Sequence, residues 1–333
     1  MKDNIASFSL VVNGTDYAAT IIKRLNALSL EEKLEDGADT LSFTLANHDG
    51  RLAPIKRGVY ATLALGWKQG AEVSSGLISK GRFLVDEVVK EGDPAVVRVR
   101  ARSADLTGAY RKRRDAGWKR TTLGRVISDV AKANGLEARV HADLARIPVA
   151  SIEQAAKSDM AFVRDLGKRH DAVATVKDGK LLFLPIGKGE SATGKPLPAL
   201  KLIRRQVSRW SATEADREDH DGAEAQWHDR KAARRKTVKH GKAGNPRRIQ
   251  RSFSNEAEAK EAARAEASRA ARGKFTFTCD LALGDPAYAP NLKVTLVGWD
   301  SQIDATTWLI TSATHTLDAT GGYVTALEME SLG

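Results

Sequence analysis

One pattern occurs twice in this chain and restricts its fold more than any other feature. Ala53-Pro54, an alternating apolar run ending Leu65-Gly66-Trp67, and Phe83-Leu84-Val85-Asp86-Glu87-Val88 are echoed in the same order by a second set. That set is Ala289-Pro290, a run ending Val297-Gly298-Trp299, and Trp308-Leu309-Ile310-Thr311-Ser312-Ala313. A proline, an extended run, a Gly-Trp corner and an aromatic-led run in fixed order are what a duplicated structural unit leaves in sequence. The runs alternate with period two, so the unit is made of strands.

The residues around the first copy agree. Phe8, Leu10 and Val12 alternate with polar positions and run into Asn13-Gly14, a hairpin signal. Leu41, Phe43 and Leu45 do the same before Asn47-His48-Asp49-Gly50, and Glu91-Gly92-Asp93-Pro94 separates two further runs. Short strands punctuated by turns predict a small barrel or sandwich. In the run that follows Pro94, Val97 and Val99 face away from Arg98, Arg100 and Arg102, which form either a solvated strand face or a contact face for an acidic partner.

The period then lengthens. Thr121 or Thr122 caps a helix carrying Leu123, Val126, Ile127 and Val130, with Asn134-Gly135 as its stop. A second helix follows Ser158-Asp159 and ends in Lys168-Arg169-His170, where positive charge suits the helix dipole. Residues 216–251 are polar and basic, predicting an exposed loop or a pair of long strands, and Ser254 or Asn255 then opens an Ala-rich helix reaching about residue 272. Its alanines, Ala259, Ala262, Ala263 and Ala270 among them, allow close approach to a sheet. Strands resume from Phe275 to the C-terminus.

The 333 residues carry a formal net charge of +11, with cations clustered at Arg111-Lys112-Arg113-Arg114, at Arg204-Arg205 and along residues 230–251. Such a balance suits nucleic acid, an acidic partner or plain solubility, but stacking aromatics beside the longest basic tract are limited to Trp227 and Phe253. No apolar run approaches the roughly 20 residues a spanning helix needs. Met1-Lys2-Asp3-Asn4 lacks the features of a secretory signal, which places assembly in the cytoplasm. The single cysteine, Cys279, reads as a buried thiol.

Chemistry is sparsely signalled. The dipeptides His48-Asp49, His170-Asp171, His220-Asp221 and His228-Asp229 lack partner motifs, and aspartate favours turns in any case. Gly189-Glu190-Ser191-Ala192-Thr193-Gly194-Lys195-Pro196 falls short of a phosphate loop, because Pro196 stands where a magnesium-binding hydroxyl belongs and obstructs a following helix. No catalytic, metal or cofactor-binding residues are assigned, and no enzymatic activity is expected.

Six stretches occur in a fixed order: Gly81-Arg82-Phe83-Leu84-Val85-Asp86-Glu87-Val88, Thr122-Leu123-Gly124-Arg125-Val126-Ile127, residues 158–170, residues 176–183, Trp308-Leu309-Ile310-Thr311-Ser312-Ala313-Thr314-His315 and residues 321–330. In these stretches the chain resembles the phage late control protein D family, the baseplate hubs of contractile tails, which are related to the hub part of type VI secretion spike proteins. The resemblance implies a mainly β fold with α insertions (α+β), in which two tube-protein-like β-barrel domains are joined by a small helical subdomain. The expected division is 1–105 for the first barrel, 106–172 for the helical subdomain, 173–212 with 273–333 for the second barrel, and 213–272 for the charged insertion with its Ala-rich helix.

The resemblance further implies a structural hub, a homotrimer adapting a hexameric tail tube protein to a separate trimeric spike protein, with other baseplate proteins around it. Cofactors, membrane binding and specific nucleic-acid binding are not expected, and the product belongs to a virion or phage-tail-like particle. The competing classes are a sequence-specific DNA-binding regulator of late genes and a hydrolase. Candidate protein-interface residues are Arg98, Arg100, Arg102, Arg111, Arg113, Arg230, Arg234, Arg235, Arg247 and Arg248.

Overall fold

The computed structural model describes residues 3–34, 38–103, 109–214, 220–229, 231–242, 244–318 and 322–332. Its main element is a thirteen-stranded sheet. Twelve strands matter here: β1 (Ile5–Val12), β2 (Leu25–Lys33), β3 (Thr40–Ala46), β4 (Tyr60–Gln69), β5 (Gly76–Glu91), β6 (Val96–Arg102), β7 (Leu200–Ile203), β8 (Val207–Glu214), β9 (Phe275–Leu281), β10 (Lys293–Val297), β11 (Thr307–Asp318) and β12 (Gly322–Ser331). The thirteenth, Thr15–Asp16, completes the Asn13-Gly14 hairpin, and both turn residues take the positive φ that this turn requires.

The order of the first six strands is β2-β3-β6-β5-β4-β1, and that of the last six is β8-β9-β12-β11-β10-β7. The two orders are the same after shifting each label by six. Registers match as well. A bulge skips Asp86 where β5 meets β6 and Thr311 where β11 meets β12; another skips Asn26 between β2 and β3 and Ser208 between β8 and β9. A bulge adds one residue to one strand, so coincident bulges fix which residues are equivalent. The outer strand departs from the repeat: β1 runs antiparallel to β4, whereas β7 runs parallel to β10.

Each unit wraps its own core. Leu10, Leu30, Leu41, Leu63 and Phe83 fill the first, and Phe277, Leu296, Trp308 and Ile310 the second. The fold is mainly β with α insertions, as expected, but two separately closed barrels are not what the hydrogen bonds make. Strand β2 of the first unit pairs with β11 of the second, from Ser312 opposite Lys33 to Asp318 opposite Ala27, so both units share one open sheet. The reason is the length of β11: its first residues pair with β10, and its remaining length offers a free edge that β2 occupies.

Between the units lies a mixed α/β segment. Thr122 caps the helix Leu123–Ala133 and Ser158 caps Asp159–His170 through side-chain contacts to backbone N–H groups. These helices cover a two-stranded ribbon, Arg113–Thr122 with Pro148–Ser158, and a three-stranded sheet in which Ala172–Lys177 and Lys180–Pro185 join Glu137–Val140. Residues 173–185, grouped with the second barrel on sequence, pair in this segment, where Glu137–Val140 supplies the parallel neighbour for Lys180–Pro185.

The basic insertion is neither a loop nor a pair of strands. Gly222–Asp229, Arg234–Gly241 and Pro246–Phe253 form a three-stranded sheet, and the helix Glu256–Ala271, capped by Asn255, lies on it. Ala259, Ala262 and Ala263 are buried against Ala225 and Phe253, and Ala270 is half-buried. The small side chains of the helix permit that approach, and Phe253, Trp227, Val238 and Ile249 of the sheet complete a core within an otherwise polar stretch. Among the described residues, no helix is long and apolar enough to cross a membrane.

Candidate assembly interface

Nine of the ten candidate arginines lie among the described residues, in three separate regions of the fold. Arg98, Arg100 and Arg102 line the outer face of β6, where each meets an acid of β5: Glu91 at 3.2 Å, Glu87 at 3.2 Å and Asp86 at 3.1 Å. Opposite charges facing one another across a ladder support the pairing of the strands. Arg111 and Arg113 are exposed at the start of the Arg113–Thr122 ribbon. Arg234 and Arg235 are exposed on the insertion sheet, while Arg247 reaches Glu266 at 3.1 Å and Arg248 reaches Glu224 at 3.4 Å. Arg230 lies outside the described residues.

The histidine-aspartate pairs serve local structure. Asp49 binds Arg24 at 2.6 Å, Asp221 accepts from the backbone of Gly244 and Asn245, and Asp229 accepts from Lys231 and Ala232. His170, read from sequence as a favourable charge at a helix end, is instead held neutral: burial pushes its pKa down to about 4, aided by the charges of Arg169 and Arg251. Among the described residues, no group of three or more acidic, histidine or cysteine side chains is placed to hold a metal ion. The loop around Gly194 closes as a turn in which Glu190 bridges to Pro196, and the next element is the strand β7. Burial pushes the Cys279 thiol up to about 12, which suits an inert core side chain.

The seam between the two units holds a charged cluster that the sequence reading missed. Glu32 on β2 receives Lys80 at 2.7 Å and lies 3.4 Å from the His315 ring. Lys177 approaches Glu32 at 3.7 Å and Asp39 at 3.0 Å, and the other His315 nitrogen meets Thr325 at 2.9 Å. Burial alone would raise the Glu32 carboxyl, but His315, Lys80 and Lys177 together hold it down to about 2. Burial lowers the His315 pKa. A signal existed: Leu28, Leu30 and Glu32 share one face of a period-two run, so the acid was placed inward.

Among the described residues, two of the main sheet's open strand edges have counterparts that are covered at the seam. Strand β8 pairs with β9 on one side only, and the β5 segment beyond Val85 pairs with β6 only; among the described residues, no strand covers either outer edge. Val89 and Trp210 lie on these edges and are among the exposed large apolar residues of the protein. Open edges with apolar side chains are what assembly surfaces present.

A sequence profile described as phage tail baseplate hub (GPD) matches residues 37–321. The chain belongs to that family. The hub is 33% identical to the probable baseplate hub protein of Escherichia phage 186, over 97% of this chain and 92% of the relative. Its fold is shared by the 43 kDa tail protein of prophage MuSo2 from Shewanella oneidensis, at 15% identity and a TM-score of 0.67, over 97% of this chain and 98% of that one. The E. coli c3393 protein, a type VI secretion component, shares it with a TM-score of 0.57 at 11% identity, over 96% of the hub and 76% of that chain. The hub is thus a structural component of a phage-type tail baseplate, related to structural proteins rather than enzymes, and neither family nor geometry supports a sequence-specific regulator of late genes.

Proposed function

We propose that the hub acts as a homotrimer that adapts a sixfold tail tube to a threefold spike and carries contractile force between them. The observation behind this reading is the duplicated unit: six strands in one order, with the same two bulges, occur twice in one chain. Three such chains offer six similar units, the number a hexagonal tube end needs, while the inserted α/β segments and the insertion sheet occur once per chain and repeat three times around the ring. Each unit then does the work assigned from sequence to a tube-like barrel, although the hydrogen bonds leave the sheet open.

Hexameric tube protein, a trimeric spike and other baseplate proteins are the partners this reading requires, with assembly in the bacterial cytoplasm. The basic insertion sheet, including Arg234 and Arg235, is offered to acidic baseplate neighbours rather than to nucleic acid. Averaged images of tails carrying a labelled hub test the reading. Three copies forming a ring between tube and spike are expected; six copies, or hub density away from that junction, would sink it.

A further inference from the structure

We infer that the two open edges join one hub subunit to the next: β8 of one copy runs antiparallel to the outer end of β5 in its neighbour, in the register of the internal seam. The inference rests on the homotrimeric reading above and adds the contact that would build the ring. It comes from the repeat itself. Within a chain, β2 occupies the free edge of β11. The counterpart of β2 is β8, and the counterpart of β11 is β5; each of these lacks the partner that its equivalent has.

Coincident bulges give the register. The skipped residues Asp86 and Thr311 make Val88, Val89, Lys90 and Glu91 equivalent to Ala313, Thr314, His315 and Thr316. The skipped residues Ser208 and Asn26 make Ser211, Ala212, Thr213 and Glu214 equivalent to Ser29, Leu30, Glu31 and Glu32. The internal seam sets Ala313 opposite Glu32, Thr314 opposite Glu31, His315 opposite Leu30 and Thr316 opposite Ser29. Transferred between copies, Val88 faces Glu214, Val89 faces Thr213, Lys90 faces Ala212 and Glu91 faces Ser211.

The side chains fit that transfer. Inside the chain Glu32 lies beside His315; the equivalent positions carry Glu214 and Lys90, an acid and a permanent cation, both exposed in the single subunit. Among the described residues, Glu214 accepts from the neutral side chain of Gln302, at 3.1 Å, a contact that does not compensate its charge. Leu28 is 1% exposed beneath the internal seam, whereas its counterpart Trp210 is 38% exposed, with one face stacked on Phe277. Arg204 lies 5.7 Å from the Trp210 ring centroid and Trp299 packs edge-on, so the neighbouring copy would cover what these contacts leave exposed. Because each chain offers one edge of each kind, the contact is head-to-tail and closes into a ring instead of a dimer.

Cysteine pairing in assembled tails tests the register. After mild oxidation, Thr213→Cys with Val89→Cys should give disulfide-linked hub dimers and trimers on a non-reducing gel, lost on reduction. Either variant alone, or Arg209→Cys with Val89→Cys, should give less than a tenth as much. Independently, Glu214→Lys and Lys90→Glu should each lower the yield of complete tails at least tenfold, and the double variant should restore it. A threefold hub at the tube-spike junction with no Thr213–Val89 link and normal yields for both charge reversals overturns this contact and leaves the hub reading standing. Absence of any threefold hub from the particle removes both.

Discussion

Lys80 donates to Glu32 at 2.7 Å in the seam where the two six-strand units join, and both side chains are all but excluded from solvent. Ion pairs so buried contribute little net stability when intact, but removing one partner strands the other charge, at a cost of about 3–5 kcal/mol where nothing else compensates it; here Lys177, 3.7 Å from Glu32, compensates in part and points to the lower end of that range. Lys80→Met is expected to destabilise the hub by that order in urea unfolding. Combined with Glu32→Gln, the loss should be smaller than the sum of the two single effects, because the second change removes the stranded charge.

Acid should weaken the same seam, and the sign follows from the pKa values. Glu32 sits at about 2 in the folded chain against an ordinary 4.5, so the unfolded state binds more protons between those values. Its stabilisation is present above 4.5 and is lost as pH falls towards 2. His170, at about 4 against 6.5, adds a second loss at higher pH, because unfolding lets it take up a proton between 6.5 and 4. Urea midpoints should therefore fall from pH 6.5 downward, and His170→Gln should flatten the curve between 6.5 and 4 while leaving the steeper decline below 4.5.

The arginine ladder of β6 should prove modest. Arg100 and Glu87 are each about half exposed at 51% and face each other across the strands, a geometry worth roughly 0.2–1 kcal/mol. Arg100→Ala is expected to shift stability by no more than that, with the difference from wild type shrinking further in high salt. A loss well beyond 1 kcal/mol in equilibrium unfolding would assign Arg100 a role that its paired, solvated position does not explain.

The duplication was legible in the sequence, yet for a reason that holds only in part. The aromatic-led runs at Phe83 and Trp308 do occupy equivalent rungs, fixed by the bulges at Asp86 and Thr311. The Gly-Trp corners are alike in letters and different in cause. A Cβ on Gly66 would lie 1.9 Å from the Gly76 carbonyl oxygen, whereas Gly298 needs its φ of +98°. Trp67 crosses to the other unit and donates to the Gly284 carbonyl at 2.8 Å, while Trp299 packs on Phe277 and Trp210 in its own. Helix caps at Thr122, Ser158 and Asn255 could be read locally because each depends on one side chain and the N–H three residues on. The β2–β11 seam could not, since its partners lie far apart along the chain and no local pattern names them. The same holds for the open edges, which are defined by what fails to pair.

Arg272 provides the last test, at the point where the insertion returns to the body. Its guanidinium is 7% exposed, grips the Asp171 carboxylate with two nitrogens and reaches Glu330 of β12 at 3.3 Å. It thereby ties the helix Glu256–Ala271 to the C-terminus of the helix Asp159–His170 and to the second unit. A planar fork matching a carboxylate is a geometry that lysine does not reproduce. Arg272→Lys and Arg272→Met should therefore both destabilise, by about 3 kcal/mol for the methionine, which strands two acids. Hydrogen exchange should rise first in the insertion sheet and in Asp159–His170 while the β2–β11 seam keeps its protection. Uniform exchange across all three would mean that Arg272 acts on global stability alone.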